Sequence, residues 1–166
     1  MQIRPAELDD LPRLTEIYNH YVLTTPITFD VEPYTVERRL PWFEQFATVG
    51  RYRLVVATDG PLVVGYAGTT RFRRKLAYET TVETTIYCAP GHAGHGIGAL
   101  LYGALFEAIA SEDIHRIVAG YALPNPASAR LHERFGFEPV GVFTSNGRKF
   151  GRYWDVAWVE KHLDKP

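Results

Sequence analysis

Four glycines, Gly91, Gly94, Gly96 and Gly98, separate a β-rich segment from a strongly apolar one, and this junction constrains the fold more than any other feature of the chain. Before it, Tyr78 to Cys88 (YETTVETTIYC) is rich in β-branched and aromatic residues, which predicts a long strand stopped by Pro90. After it, Ile97 to Ile109 places Leu100, Leu101, Leu105 and Ile109 on one stripe, the mark of an amphipathic helix. Glycines here let the backbone approach a ligand, and free N–H groups at a helix start favour an anion. A pyrophosphate is the natural guest; a turn that binds nothing is the alternative. No Gly-Lys-Ser/Thr follows, so this is not a Walker loop. Strands of hairpin type precede it, which argues against a dinucleotide-binding βαβ unit.

The elements around the junction can be placed by the same signals. Gln2 to Pro5 is short and extended, and Asp9 or Asp10 can cap a helix carrying Leu11, Leu14, Ile17, Tyr18 and Tyr21. A second helical pattern runs from Thr35 to Phe46, with Pro41 as a break or kink. Arg53 to Thr58 and Leu62 to Phe72 flank Asp59-Gly60, a strong hairpin signal. Ile117 to Tyr121 reads as a strand. Asn125-Pro126 reads as cap and first-turn proline of a helix ending at Phe135. Two β runs then surround Asn146-Gly147. The order β-α-α-βββ-α-β-α-ββ predicts an α/β fold, one mixed sheet with helices on both faces.

Composition limits what such a fold can do. With 166 residues, 46% hydrophobic and 22% charged, the chain is expected to form a single globular domain over 1–166. A net charge of −1 gives no sign of nucleic-acid or membrane partners. The single cysteine, Cys88, excludes an intrachain disulfide, and no Cys/His cluster has metal-ligand spacing, so no metal is expected. The start, MQIRPAELDD, has no apolar run, and a cytoplasmic location is expected.

The run Thr85-Ile86-Tyr87-Cys88-Ala89-Pro90, followed by Gly94-His95-Gly96-Ile97-Gly98, resembles the acetyl-CoA motif of the GNAT N-acetyltransferase superfamily. The later Asn125, Ser128 and His132-Glu133-Arg134-Phe135-Gly136-Phe137 resemble its second signature. Across its whole length the chain is similar to the phosphinothricin/methionine sulfone acetyltransferase branch, most tellingly in YNHYV, AYETTVETTIYC, LPNPASARLHERFGF and KFGRYWDV. It departs from the pattern at Ala93, where Gln or Arg is usual; this removes one side-chain contact to the phosphates and leaves the backbone cradle. The resemblance implies a GNAT-like fold whose central sheet splays between the strand ending at Cys88 and the one ending at Tyr121. It implies acetyl-CoA as cosubstrate, with pantetheine along Ile86, Tyr87 and Cys88. The pyrophosphate would lie on Gly94, His95, Gly96, Ile97, Gly98 and Ala99, and Asn125 and Ser128 would bond the arm from the second side. It also implies a small amino-acid-like amine as acceptor, and a homodimer.

Acetyl transfer needs a neutral amine, and a free amine of pKa ~10 needs a base near neutral pH. Glu83, flanked by Val82, Thr84, Thr85 and Ile86, is the candidate, because partial burial there would raise its pKa. The plain alternative is a solvent-facing strand carboxylate; the resemblance favours the base. Glu79, four residues earlier, is the decoy. His132 stands where many relatives carry an acid toward the sulfur, and is expected to bridge a carboxylate or shuttle a proton; a helix-surface histidine packed beside Phe135 is the bland reading. Cys88 invites a covalent mechanism, but direct transfer needs no thiol and strand cysteines are usually small buried hydrophobes. For the acceptor, Arg73, Arg74 and Lys75 suit an anionic tail, with Phe29 and Tyr78 as walls; a solvated basic turn is the alternative. Other acceptors, such as another small amine or a protein N-terminus, or a non-catalytic acyl-CoA sensor, stay open at this point.

Overall fold

The computed structural model describes residues 1–163. Strand β1 (Gln2–Pro5) leads into helices α1 (Leu11–Thr24) and α2 (Val36–Phe43), then strands β2 (Leu54–Asp59), β3 (Leu62–Arg71) and β4 (Thr81–Cys88). Helix α3 (Ile97–Ala108), β5 (Arg116–Ala122), α4 (Pro126–Arg134), β6 (Glu138–Lys149) and β7 (Arg152–His162) complete it. The seven strands form one sheet in the order β1-β2-β3-β4-β5-β7-β6, with β4 and β5 the parallel pair. The mixed sheet and the order of elements are those the sequence implies.

Two apolar layers cover the sheet. Leu101, Tyr102 and Leu105 of α3 pack with Val82, Ile117 and Val159 on one face. Leu14 and Ile17 of α1 pack with Val56, Val63 and Tyr66 on the other, joined by Tyr87 and Trp42. Between α1 and α2 the buried Arg39 guanidinium lies 3.8 Å from the Tyr18 ring centroid and 4.0 Å from that of Trp42. It donates to the Tyr66 hydroxyl at 3.1 Å, while its Nε has no partner. Aromatic faces therefore replace a carboxylate as the partner of this charge.

The structure corrects the sequence reading in four places. β4 begins at Thr81, because Leu76–Tyr78 folds into a 3-10 turn. Helix α2, expected over Thr35 to Phe46, has Thr35 as its cap and ends at Phe43, two residues past Pro41, whose ring nitrogen cannot donate. Asp10 precedes α1 without capping it; its carboxylate is held by Arg4 at 2.7 and 2.8 Å. The last hairpin does not turn at Asn146-Gly147. It turns at Phe150-Gly151, both with positive φ, where Lys149 pairs with Arg152. A bulge between Phe143 and Gly147 absorbs the residues between, and the Ser145 N–H donates to Asp155 at 2.7 Å. Gly147 is needed instead for close approach, since a Cβ there would fall 2.3 Å from the Phe29 ring.

Arg39→Ala should remove both the stacked packing and the cation–π contacts, costing about 2–4 kcal/mol of stability. Denaturant titration should show a lower midpoint at unchanged slope.

Candidate active site

Pairing between β4 and β5 covers Thr81↔Arg116, Val82↔Ile117 and Glu83↔Val118, then stops. Beyond Glu83 the strands part, while β4 stays paired to β3 as far as Cys88 and β5 to β7 as far as Ala122. Which backbone groups face the opening follows from alternation along β4. Thr80 O accepts from His115 on the β5 side, whereas Ala89 N donates to Val64 O and Tyr87 O crowds Gly65 on the β3 side. Ile86 and Cys88 therefore turn their amides to the opening. Tyr87 turns its amide and carbonyl to β3, and its ring packs among Tyr18, Tyr21 and Tyr66. The Cys88 carbonyl already accepts from the Tyr21 hydroxyl at 2.6 Å. Burial pushes the Cys88 thiol up to about 11, which leaves it protonated and a poor nucleophile at neutral pH.

Pro90 to Gly96 link the end of β4 to α3. Gly94 and Gly96 have φ of +86° and +81°, a region that side chains disfavour, and a Cβ at either would meet open space. No side chain caps α3, so the amides of Ile97 and Gly98 remain available to an anion. The Ala99 amide, expected on the pyrophosphate, instead donates to Gly96 O at 3.0 Å as the helix begins. His95 is exposed beside this turn, and Ile97 is buried in the α3 layer. Gly98 serves packing: a Cβ would lie 3.1 Å from Leu131 of α4 and 3.6 Å from Ile86. An open half-strand followed by an uncapped, glycine-led helix start suits an amide-bearing arm that ends in a pyrophosphate.

Helix α4 forms the second wall. Asn125 caps it, its side-chain oxygen accepting from Ser128 N at 3.0 Å, which leaves the Asn125 NH₂ free to donate. His132, 3% exposed, has Nδ1 at 2.8 Å from the Ser128 carbonyl and Nε2 at 3.0 Å from the Tyr102 hydroxyl. The carbonyl can only accept, so Nδ1 carries the proton and Nε2 accepts from Tyr102. Burial holds the His132 pKa below its ordinary value, opposed by the bond to Ser128. Its ring stacks on Tyr121 at 5.4 Å.

Glu83 projects to the other face of β4, together with Thr85 and Tyr87. Desolvation raises its pKa above the ordinary carboxylate value, and the nearby Arg73 charge opposes that rise. Glu79 is exposed in the turn before β4, outside the strand. Arg73 lies 4.6 Å over the Phe72 ring, and Tyr78 meets the same ring edge-on at 5.7 Å. Arg74 and Lys75 are exposed. The Phe29 ring rests on Gly147. Sequence reasoning missed Trp158, Tyr102 and Lys149; tertiary pairing alone places them near these groups.

The GNAT acetyltransferase family matches residues 14–137. A phosphinothricin N-acetyltransferase of Streptomyces coelicolor is 58% identical over 165 residues, covering 98% of this chain and 96% of its own. An L-methionine sulfoximine/L-methionine sulfone acetyltransferase of Salmonella typhimurium is 34% identical, covering 99% and 96%. Among solved structures, a GNAT superfamily phosphinothricin acetyltransferase from Sinorhizobium meliloti in complex with acetyl-CoA superposes with a TM-score of 0.92 at 32% identity, over 98% of this chain and 88% of that one. With the split β4–β5 pair and the glycine-led helix start in place, these matches establish that the chain belongs to the GNAT acetyltransferase family, in its phosphinothricin and methionine sulfoximine/sulfone acetyltransferase branch.

Proposed function

We propose that this acetyltransferase, acting as a single unit over its whole length, moves an acetyl group from acetyl-CoA directly to the α-amine of a small amino-acid-like acceptor, of the phosphinothricin, methionine sulfoximine or methionine sulfone type. The observation that carries the reading is Glu83, a partly desolvated carboxylate with a raised pKa at the last paired position before β4 and β5 part. Acetyl-CoA supplies an activated thioester. The open amides of Ile86 and Cys88 hold its arm, with the Asn125 NH₂ and the Ser128 hydroxyl reaching from α4. The free amides from Gly94 to Gly98 hold its pyrophosphate, with the His95 side chain beside them; the Ala99 amide is already bonded to Gly96 O. Glu83 takes the proton of the acceptor ammonium, directly or through one water, so that the neutral amine can attack. Arg73, with Arg74 and Lys75 at the mouth, meets the anionic tail, and Phe29 and Tyr78 flank the side chain. His132 we read as a positioning residue, because both its nitrogens are already engaged, by Ser128 and Tyr102.

We further infer that a second copy of the chain covers the outer edge of β6. Val140, Val142 and Phe143 are more than half exposed along this terminal strand, as are Phe150 and Tyr153 of its hairpin. Sedimentation should give twice the chain mass, and Phe143→Glu should shift it toward the monomer; a wild-type monomer at all concentrations overturns this.

Glu83→Gln should lower kcat/KM by roughly 10²–10⁴ at neutral pH with acetyl-CoA binding nearly unchanged, and the deficit should shrink at high pH. Wild-type rates for Glu83→Gln at pH 7 would exclude Glu83 as the base. Stability gives a second readout. A carboxyl whose folded pKa is raised contributes stability below its unfolded value, and that contribution is lost as pH rises through the folded value. Glu83→Gln should therefore gain stability relative to wild type as pH rises above the ordinary glutamate value, as followed by thermal unfolding.

Gly96→Val puts a β-branched residue at φ +81° on the cradle, so acetyl-CoA affinity should drop by about tenfold or more while the fold persists. Calorimetry reads the affinity and circular dichroism the fold.

A further inference from the structure

Beside Glu83 the sheet carries an aromatic arch. Trp158 of β7 pairs with Gly120 of β5, and its indole lies over that glycine: a Cβ there would fall 3.1 Å from two ring atoms and 3.3 Å from a third. Pairing carries side-chain alternation across the sheet, so Thr70, Glu83, Val118 and Glu160 share one face. Gly120 and Trp158 belong to the same face, and Phe72 continues it two residues beyond Thr70. The Phe72 and Trp158 rings meet edge-to-face, with centroids 6.2 Å apart. In the sheet, β4 and β5 lie between the strands these rings come from. The rings therefore reach toward each other above β4 and β5, next to the Glu83 side chain.

We propose that Trp158, seated on Gly120 and braced by Phe72, is the specificity-determining wall of the acceptor pocket, admitting compact amino-acid side chains and rejecting bulky ones. This rests on the reading of Glu83 as the base with the acceptor on its face. An indole fills the space above Gly120 that a longer or aromatic acceptor side chain would need, and an aromatic contact of this kind is stiff. The same arch keeps water from Glu83, in accord with its desolvation. The charge that acts on Glu83 is that of Arg73 from the β3–β4 connection, and the Arg116–Glu160 ion pair of β5 and β7 lies on the same face of the sheet. Gly120 has a defined part in this: any side chain there would lift the indole.

The test compares wild type with Trp158→Ala, Trp158→Phe and Gly120→Ala. Thiol release from acetyl-CoA is measured with methionine sulfone, phosphinothricin, phenylalanine and tryptophan as acceptors. Trp158→Ala should raise kcat/KM for phenylalanine and tryptophan relative to methionine sulfone by about tenfold or more, with Trp158→Phe between it and wild type. Identical ratios in wild type and both Trp158 variants overturn the proposal. If wild type acetylates no amino acid, the acceptor class is what fails, and a second readout still decides the role of the wall. The Glu83 carboxyl, titrated by carbon-13 NMR, should move down toward the ordinary glutamate value in Trp158→Ala and less so in Trp158→Phe. An unmoved titration overturns the arch as the shield of Glu83.

Discussion

The early end of the β4–β5 ladder is the constraint on which the site depends, and it is built in rather than a fraying of strand ends. Each strand keeps a full antiparallel partner on its other side, β3 for β4 and β7 for β5. Neither can drift, so the amides of Ile86 and Cys88 face an opening of fixed shape. An unpaired buried amide would cost on the order of 1–3 kcal/mol, so such an edge calls for a hydrogen-bonding guest. The Cys88 carbonyl, the first polar group at the mouth, is satisfied internally by Tyr21. The opening is thus selective about which of its groups it offers.

Two helix contacts hold the opening apart. Gly98 lets the first turn of α3 press against Leu131 of α4. One turn deeper, Tyr102 of α3 donates to His132 of α4, and the same ring is pinned by the Ser128 carbonyl and by Tyr121. A hydrogen bond between two fully buried side chains fixes distance and rotation together, which apolar packing alone does less sharply. The α3 start that would hold the phosphates and the α4 cap that would hold the arm are therefore parts of one rigid wall. A histidine with both nitrogens engaged in this way is well suited to set geometry and poorly placed to give up a proton.

The glycine junction, the order of elements and the cap at Asn125 were legible because each is a local matter of φ, periodicity or side-chain reach. Gly94 and Gly96 adopt left-handed φ, as their position before a helix suggested. Asn146-Gly147 misled for a definite reason. It has the residues of a tight turn, but Gly147 is there to let the Phe29 ring approach from a loop more than a hundred residues away. The turn moved to Phe150-Gly151, where register with β7 demands it. The partial burial of Glu83 was expected from its β-branched neighbours, but the rings beside it were not, because Phe72 and Trp158 arrive from segments far apart in sequence. His132 was visible as a residue type, while its engagement with Tyr102 was not.

The wall around Phe29 is non-local in the same sense. Lys149, 4% exposed, donates to the Thr28 carbonyl at 2.8 Å and reaches the Tyr21 carbonyl at 3.4 Å. Desolvation lowers its pKa, and the nearby Asp30 opposes that. A lysine carries three donors, and anchoring two of them on carbonyls ties the last hairpin to the loop after α1 at the residue before Phe29. The Phe29 ring then closes on Gly147 of the same strand, so loop and hairpin brace each other. Tyr21 joins this clamp to the cofactor side, since its hydroxyl bonds the Cys88 carbonyl while its own carbonyl faces Lys149. Lys149 is thus faced by Asp30 and engaged by two carbonyls, while Arg73 is the positive charge that acts on Glu83. In the reading proposed above, an acceptor bringing its own anionic group would meet Arg73, and a simple amine would not.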